Sequence, residues 1–144
     1  MSIFKSELEL TVSFEDLDPM NVVWHGNYMR YMERARCKML SELNYTYNDM
    51  KTDGVAYPVA KMKVKYIKPA TFEDVLLVKT EILSIEPTLD IKYKIFNKNT
   101  EEKIFEATTM QIGFDMKSKE SVYTPPEKFS LAIKIANKNN DSNK

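Results

Sequence analysis

Fifteen consecutive residues, Phe14-Glu15-Asp16-Leu17-Asp18-Pro19-Met20-Asn21-Val22-Val23-Trp24-His25-Gly26-Asn27-Tyr28, concentrate the chemistry of this 144-residue chain. They hold its only histidine, its only tryptophan, one of its three glycines and three carboxylates, among them two aspartates two residues apart. Carboxylates can serve as general bases or as nucleophiles. A helix beginning beside His25 and Gly26 would present free N–H groups and the positive end of its dipole. An oxyanion could be held there.

Composition removes most competing chemistries. One Cys (Cys37) and one His (His25) cannot supply the roughly four ligands of a structural zinc site, nor a disulfide within the chain. The glycines, Gly26, Gly54 and Gly113, lie too far apart for a phosphate-cradling G-x-G-x-x-G or Walker loop. G-x-S-x-G is absent as well. Lys+Arg and Asp+Glu both number 21, so the basic excess of a non-specific nucleic-acid binder is missing. No stretch approaches the roughly 20 apolar residues of a membrane span. The first residues carry charges where a signal peptide needs an apolar run. With 43% apolar and 29% charged residues and a lone thiol, these features predict one cytoplasmic globular domain.

The elements that must position the segment follow from apolar periodicity. Phe4, Leu8, Leu10, Val12 and Phe14 alternate with polar residues, which predicts a strand with one buried face. From Asn27 to Leu43 the period becomes helical: Tyr28, Met32, Ala35, Met39 and Leu43 recur at spacings of three and four, widened by Met29, Cys37 and Leu40. Asn27 is the expected cap, and 48–54 the expected connection. Four strands should follow. Ala60, Met62, Val64 and Tyr66 alternate with Lys61, Lys63 and Lys65. Val75–Ile85 is apolar enough for burial on both faces. Leu89, Ile91, Tyr93 and Ile95 precede a turn at 97–100, and Ile104, Thr108, Met110, Ile112 and Phe114 form the last long strand. Short links would make these strands antiparallel neighbours. Thr124-Pro125-Pro126-Glu127 predicts a helix start capped by Thr124. A short helix to about Ala136 would bury Phe129, Ala132, Ile133 and Ala136. A single domain over 1–136 and a polar, disordered tail over 137–144 are expected. The class is α+β, a long helix against an antiparallel sheet of about five strands.

Asp-x-Asp-Pro-x-x-Val-Val-Trp-His-Gly-Asn-Tyr, followed by Arg-Tyr-x-Glu-x-Ala-Arg, resembles the 4-hydroxybenzoyl-CoA thioesterase family of hot-dog-fold acyl-CoA thioesterases. The resemblance spans Phe4 to about Tyr123. It implies a hot-dog fold, a sheet wrapped around the central helix. It also implies that Asp18 attacks the thioester or activates water, that the amides at His25 and Gly26 polarise the carbonyl, and that His25 orients groups around it. A homodimer joined edge to edge along Pro58–Ile67, or a homotetramer, is implied too, with the Tyr57–Lys61 region of one chain lining the site of another. The family usually has Gly where Asn21 stands, and Asn tolerates the left-handed backbone. Many relatives have Tyr where Phe14 stands. Thioester hydrolysis needs a carboxylate, a polarised carbonyl and water, which this residue inventory permits. Coenzyme A enters only as part of the acyl-CoA substrate; no cofactor, metal or nucleic-acid partner is expected.

Each residue also has a plainer reading. Asp18 before Pro19 is a common turn pair. Asp16 is read as structural, or as tuning Asp18 through like charge. His25 either packs at the helix start or acts at the carbonyl. Phe14, Trp24, Tyr28, Val59 and Lys61 are the candidate substrate-binding residues, with packing the alternative for Trp24 and Tyr28. The three arginines, Arg30, Arg34 and Arg36, suggest a solvated helix side with a Glu33–Arg36 pair, or burial beside a partner chain. Two rival functions keep the same fold: a binding module that holds acyl-CoA without hydrolysing it, and hydrolysis of acyl-carrier-protein thioesters.

Overall fold

A computed structural model of the chain describes residues 2–142, with side chains up to 139. Its centre is helix α1 (Asn27–Leu43), whose bounds match the predicted ones. Tyr28, Tyr31, Met32, Ala35, Met39, Leu40 and Leu43 are buried at helical spacing and form the face that packs on the sheet. Asn44 ends the helix in left-handed conformation at φ 64°. Cys37, expected on the apolar stripe, is exposed.

The sheet contains β1 (Phe4–Thr11), β3 (Val59–Tyr66), β4 (Val75–Ser84), β5 (Leu89–Asn97) and β6 (Lys103–Gln111), in the order β1-β4-β5-β6-β3, with every pair antiparallel. The core lies between its inner face and α1. Leu76, Val78, Ile82, Leu89, Ile91, Tyr93, Ile95, Phe105 and Ala107 supply the sheet's side of it. Short strands β2 (Val55–Ala56), β7 (Gly113–Asp115) and β8 (Ser121–Val122) form a separate three-stranded sheet.

Several sequence expectations change. The strands β3 and β4 are not neighbours: β3 pairs with β6 and β4 with β1. Residues 67–74 therefore cross the end of the sheet past two strands. Burial along β4 alternates rather than covering both faces, because α1 lies on one side only. In β6 the predicted Ile104 is buried, but the other buried residues are Phe105, Ala107, Thr109 and Gln111, opposite to the face that Thr108 and Met110 suggested. The register sets this, since Ala107 lies across from Tyr93 and Thr109 from Ile91 on the core face of β5. The strand also stops at Gln111, and β7 begins after Ile112.

The connection expected over 48–54 is helix α2 (Tyr47–Asp53), closed by a Thr46–Asp49 capping box and by Gly54 at φ 75°. Arg36 is buried within its own chain: its Nε donates to the Tyr47 hydroxyl (2.5 Å) and its Nη1 to the Tyr93 hydroxyl (3.1 Å). Helix α3 (Glu127–Ser142) starts after Pro126, whose carbonyl accepts from the Phe129 and Ser130 amides, so Thr124 lies outside it. Phe129 docks α3 between Tyr45 (stacked, 4.6 Å) and Tyr57 (edge-on, 5.8 Å). The helix continues beyond Ala136 to Ser142; the rest of the expected tail, 143–144, falls outside the described residues. No helix among the described residues is long and apolar enough to cross a membrane.

The face of β6 can be tested with one substitution on each side. Thr109→Asp places a carboxylate in the core and should lower unfolding free energy in urea by roughly 3 kcal/mol or more. Thr108→Asp, on the exposed face, should change it by no more than about 0.5 kcal/mol.

Candidate active site

The segment between β1 and α1 folds around Asp16, which is only 5% exposed. A 3-10 turn at Phe14–Asp16 leaves the strand, and the Asp16 carboxylate accepts from the Ser13 amide (3.1 Å), the Tyr31 hydroxyl (2.8 Å) and the Arg30 guanidinium. Its carbonyl accepts from the Trp24 amide (2.9 Å) and the Asn27 side-chain amide (2.8 Å). Burial pushes the Asp16 carboxyl up, but Tyr31, Ser13 and Arg30 together outweigh it and hold the group below the ordinary aspartate range. Burial and the Asp16 hydrogen bond raise the Tyr31 phenol, so it stays a donor. Asp16 is thus structural.

Asp18 sits in the turn that this anchor creates. Its amide donates to the Val22 carbonyl (2.8 Å), its carbonyl accepts from the Asn21 amide (2.9 Å), and its Oδ1 accepts from the Met20 amide (2.8 Å). Asn21 has φ 65°, the left-handed conformation expected of it. The crossover 67–74 clamps the turn from the other side. The Val23 amide donates to the Ala70 carbonyl (2.8 Å) and the Thr71 hydroxyl to the Asn21 carbonyl (2.8 Å).

Between the turn, the crossover and the start of α1 lies a cleft of about 330 Å³, lined by Asp18, Val22, Val23, His25, Tyr28 and, from the other side, Tyr66, Ile67, Lys68 and Pro69. The N-cap position of α1 is Gly26, and no side chain caps it. Asn27, the expected cap, is instead the first helical residue and ties the helix to Asp16; its Oδ1 accepts from Arg30 Nε (3.1 Å). Among the described residues the amides of Trp24 and Asn27 donate to backbone carbonyls, whereas those of His25 and Gly26 donate to none. Tyr28 is buried, stacked on Phe105 at 4.8 Å, and burial raises its phenol.

Of the predicted site residues, the structure brings Asp18, His25 and Tyr28 into one cleft, with Gly26 next to it. The others lie elsewhere in the chain. Phe14 is not on the strand; it is 73% exposed in the 3-10 turn, edge-on to Phe72 at 5.7 Å. Trp24 is half exposed, beside the His25 ring at 5.2 Å, and does not line the cleft. Val59 and Lys61 lie on β3, well along the strand from Tyr66, and Lys61 borders a different groove of about 290 Å³ with Lys63, Thr108 and Met110. The sequence reading missed Tyr66 and Lys68. Tyr66 was one more apolar residue in an alternating strand, and nothing local showed that the strand ends beside His25. No group of three or more His, Cys, Asp or Glu among the described residues could hold a metal ion.

Residues 12–133 match the model of the thioesterase-like superfamily. The chain belongs to that superfamily. It is 39% identical to the acyl-CoA thioester hydrolase YbgC of Escherichia coli over 77 residues, 54% of this chain and 58% of that one. The matched stretch thus spans little more than half of YbgC. The acyl-CoA thioesterase YbgC of Helicobacter pylori is 29% identical over 126 residues, covering 82% of this chain and 92% of its own. In three dimensions the chain is similar to the DHNA-CoA thioesterase of Staphylococcus aureus, with a TM-score of 0.82, 26% identity and coverage of 97% of this chain and 95% of that one. The five-stranded sheet on one long helix is the hot-dog fold of these thioesterases.

Two measurements test the site's construction. A Cβ on Gly26 would run into the Trp24 ring. Gly26→Ala should therefore displace that half-exposed ring and shift the emission of the single tryptophan, at a stability cost below about 1 kcal/mol because the ring is free to swing toward solvent. Because the Asp16 pKa is depressed by folding, its stabilisation is complete above the unfolded aspartate value of about 4 and is lost as pH falls through the folded value. The stability gap between the wild type and Asp16→Asn should be flat from pH 7 to about 5 and close below about pH 4.

Proposed function

We propose that the chain is an acyl-CoA thioesterase that releases a free acid and coenzyme A, with Asp18 as nucleophile or general base. The observation that carries the reading is one cleft lined by Asp18 beside a helix start whose His25 and Gly26 amides have no backbone acceptor among the described residues. Names of the similar proteins, YbgC and DHNA-CoA thioesterase, point the same way. Asp18 either adds to the thioester carbonyl or takes a proton from water as the water adds. Charge then develops on the carbonyl oxygen, where the helix-start amides would stabilise it. The C–S bond breaks and coenzyme A leaves as a thiolate that takes up a proton; in the general-base route the acid forms directly, whereas in the nucleophilic route a mixed anhydride on Asp18 remains, and water must cleave it to free the acid and restore the carboxylate. His25, whose ring lines the cleft, would orient the groups around the carbonyl.

The enzyme is proposed to work as a homodimer or homotetramer. In support, β3 is an edge strand whose Val59 and Met62 are each 45% exposed. Pairing two copies along β3 would bring the Val59–Lys61 stretch of one toward the other. A lone exposed thiol suits a cytoplasmic setting.

The test is thiol release from a panel of acyl-CoAs of graded length and from the same acyl groups on acyl-carrier protein. The wild type should hydrolyse at least one acyl-CoA faster than its carrier-protein counterpart. Asp18→Asn should lose about 100-fold or more in kcat. Tight retention of acyl-CoA without turnover would instead establish the non-hydrolytic module, and full activity in Asp18→Asn would remove Asp18 from the reaction.

A further inference from the structure

The cleft contains one hydrogen bond that the proposed chemistry has not used. Tyr66, at the end of β3, donates its hydroxyl to the His25 carbonyl at 3.0 Å. The residues are 41 apart in sequence and come from different layers of the fold. We propose that Tyr66 is a positioning residue: by holding the His25 carbonyl, its hydroxyl aims the Gly26 amide at the oxyanion. This rests on the thioesterase reading above.

Peptide geometry supplies the link. The His25–Gly26 bond is trans, since among the described residues the one cis peptide is Glu86–Pro87. In a trans unit the C=O and the next N–H lie in one plane and point in opposite directions. Fixing the direction of the His25 carbonyl therefore fixes that of the Gly26 N–H. That N–H donates to no backbone carbonyl among the described residues, and Gly26 has no side chain to hold it. A helix would not fix this unit either, because Gly26 is the cap and the unit lies before the first helical turn. The turn clamps Trp24 and Asn27, through Asp16, on either side of the unit. Tyr66 is the group that holds the peptide between them.

The phenol is itself well placed for this. Its ring meets Tyr28 (5.6 Å), Phe105 (5.4 Å) and His25 (6.3 Å) edge-on, yet the residue is 50% exposed. Aromatic contacts on three sides set the ring, and the ring sets the hydroxyl. An oxyanion donor acts only if it is aligned before charge develops, and small misplacements reduce the rate steeply.

Tyr66→Phe removes one oxygen and keeps the ring contacts, so the variant should melt within a few degrees of the wild type. On the best acyl-CoA of the panel its kcat should fall roughly tenfold while KM changes less than about twofold, the pattern of an interaction made in the transition state. In 15N,13C-labelled protein without substrate, the His25 carbonyl and Gly26 amide resonances should move while those of α3 stay in place. Unchanged kcat would overturn the proposal. So would a lowered kcat with both resonances unmoved, since Tyr66 would then act by another route. If the wild type hydrolysed no acyl-CoA, the functional reading would fail, and the two resonances would still decide whether Tyr66 sets the Gly26 amide.

Discussion

The buried carboxylate of Asp16 is the constraint from which the site follows. A carboxylate that leaves water needs full replacement of its hydrogen bonds. Asp16 obtains it from Ser13, Tyr31 and Arg30, which belong to the end of the strand and to two turns of α1. Charge-assisted bonds of this kind are stronger than neutral ones, so the loop is drawn against the helix face rather than left to solvent. The Asp16 carbonyl then holds Trp24 and Asn27. Asp18, two residues on, is left in a turn with its Oδ1 on a backbone amide and, among the described residues, in no ion pair. One carboxylate is spent on architecture so that the other remains open to the cleft.

Sheet order makes the second wall. Had β3 and β4 been hairpin neighbours, residues 67–74 would form a tight turn at one edge. Because β3 pairs with β6, this segment must cross the end of the sheet, and its path runs past the Asp18 turn. Ala70 and Thr71 then bond to Val23 and Asn21, while Ile67, Lys68 and Pro69 line the cleft. The same pairing brings the end of β3, and with it Tyr66, to the N-terminus of α1. The strand pairing and the site geometry are one decision.

Local signals in the sequence were sufficient where the causes are local. Helix α1 was readable because its buried face repeats every three to four residues, and the Asn21 turn because Asn accepts positive φ. The cluster of Asp18, His25 and Tyr28 was readable because all three lie on one short segment. What failed was set at a distance. The buried face of β6 depends on its register with β5, and Thr109, Thr108 and Met110 differ too little in polarity to reveal it. Phe14 continued the alternation of β1 but lies past the strand, where the pull of Asp16 toward Tyr31 turns the chain. Arg36 does pair with Glu33 as expected (3.6 Å), but it looked like a surface residue because its hydroxyl partners, Tyr47 and Tyr93, are 11 and 57 positions away. Tyr66 was hidden for the same reason.

The inner face of the sheet is not covered evenly, and this bears on the proposed assembly. Helix α1 lies over β1 and β4, and the inner side chains there are buried. Toward β3 the inward row continues the face of Thr109, Ala107 and Phe105, but of its members only Val64 is half-buried against the core; Val59, Met62 and Tyr66, together with Ile67 just beyond the strand, stay exposed. Along its free edge β3, eight residues long and bonded to β6 on its other side, also leaves the N–H and C=O groups of alternate residues without a strand partner among the described residues, an arrangement that invites pairing with another strand. The outward row, Lys61, Lys63 and Lys65, is charged and resists casual aggregation. An edge that is apolar inward, cationic outward and long enough to pair is what a second copy would need in order to extend the sheet and cover Val59 and Met62. In such an assembly Tyr66 would stand where the strand edge, the cleft and the start of α1 meet, so closing the edge and fixing the Gly26 amide would depend on the same strand.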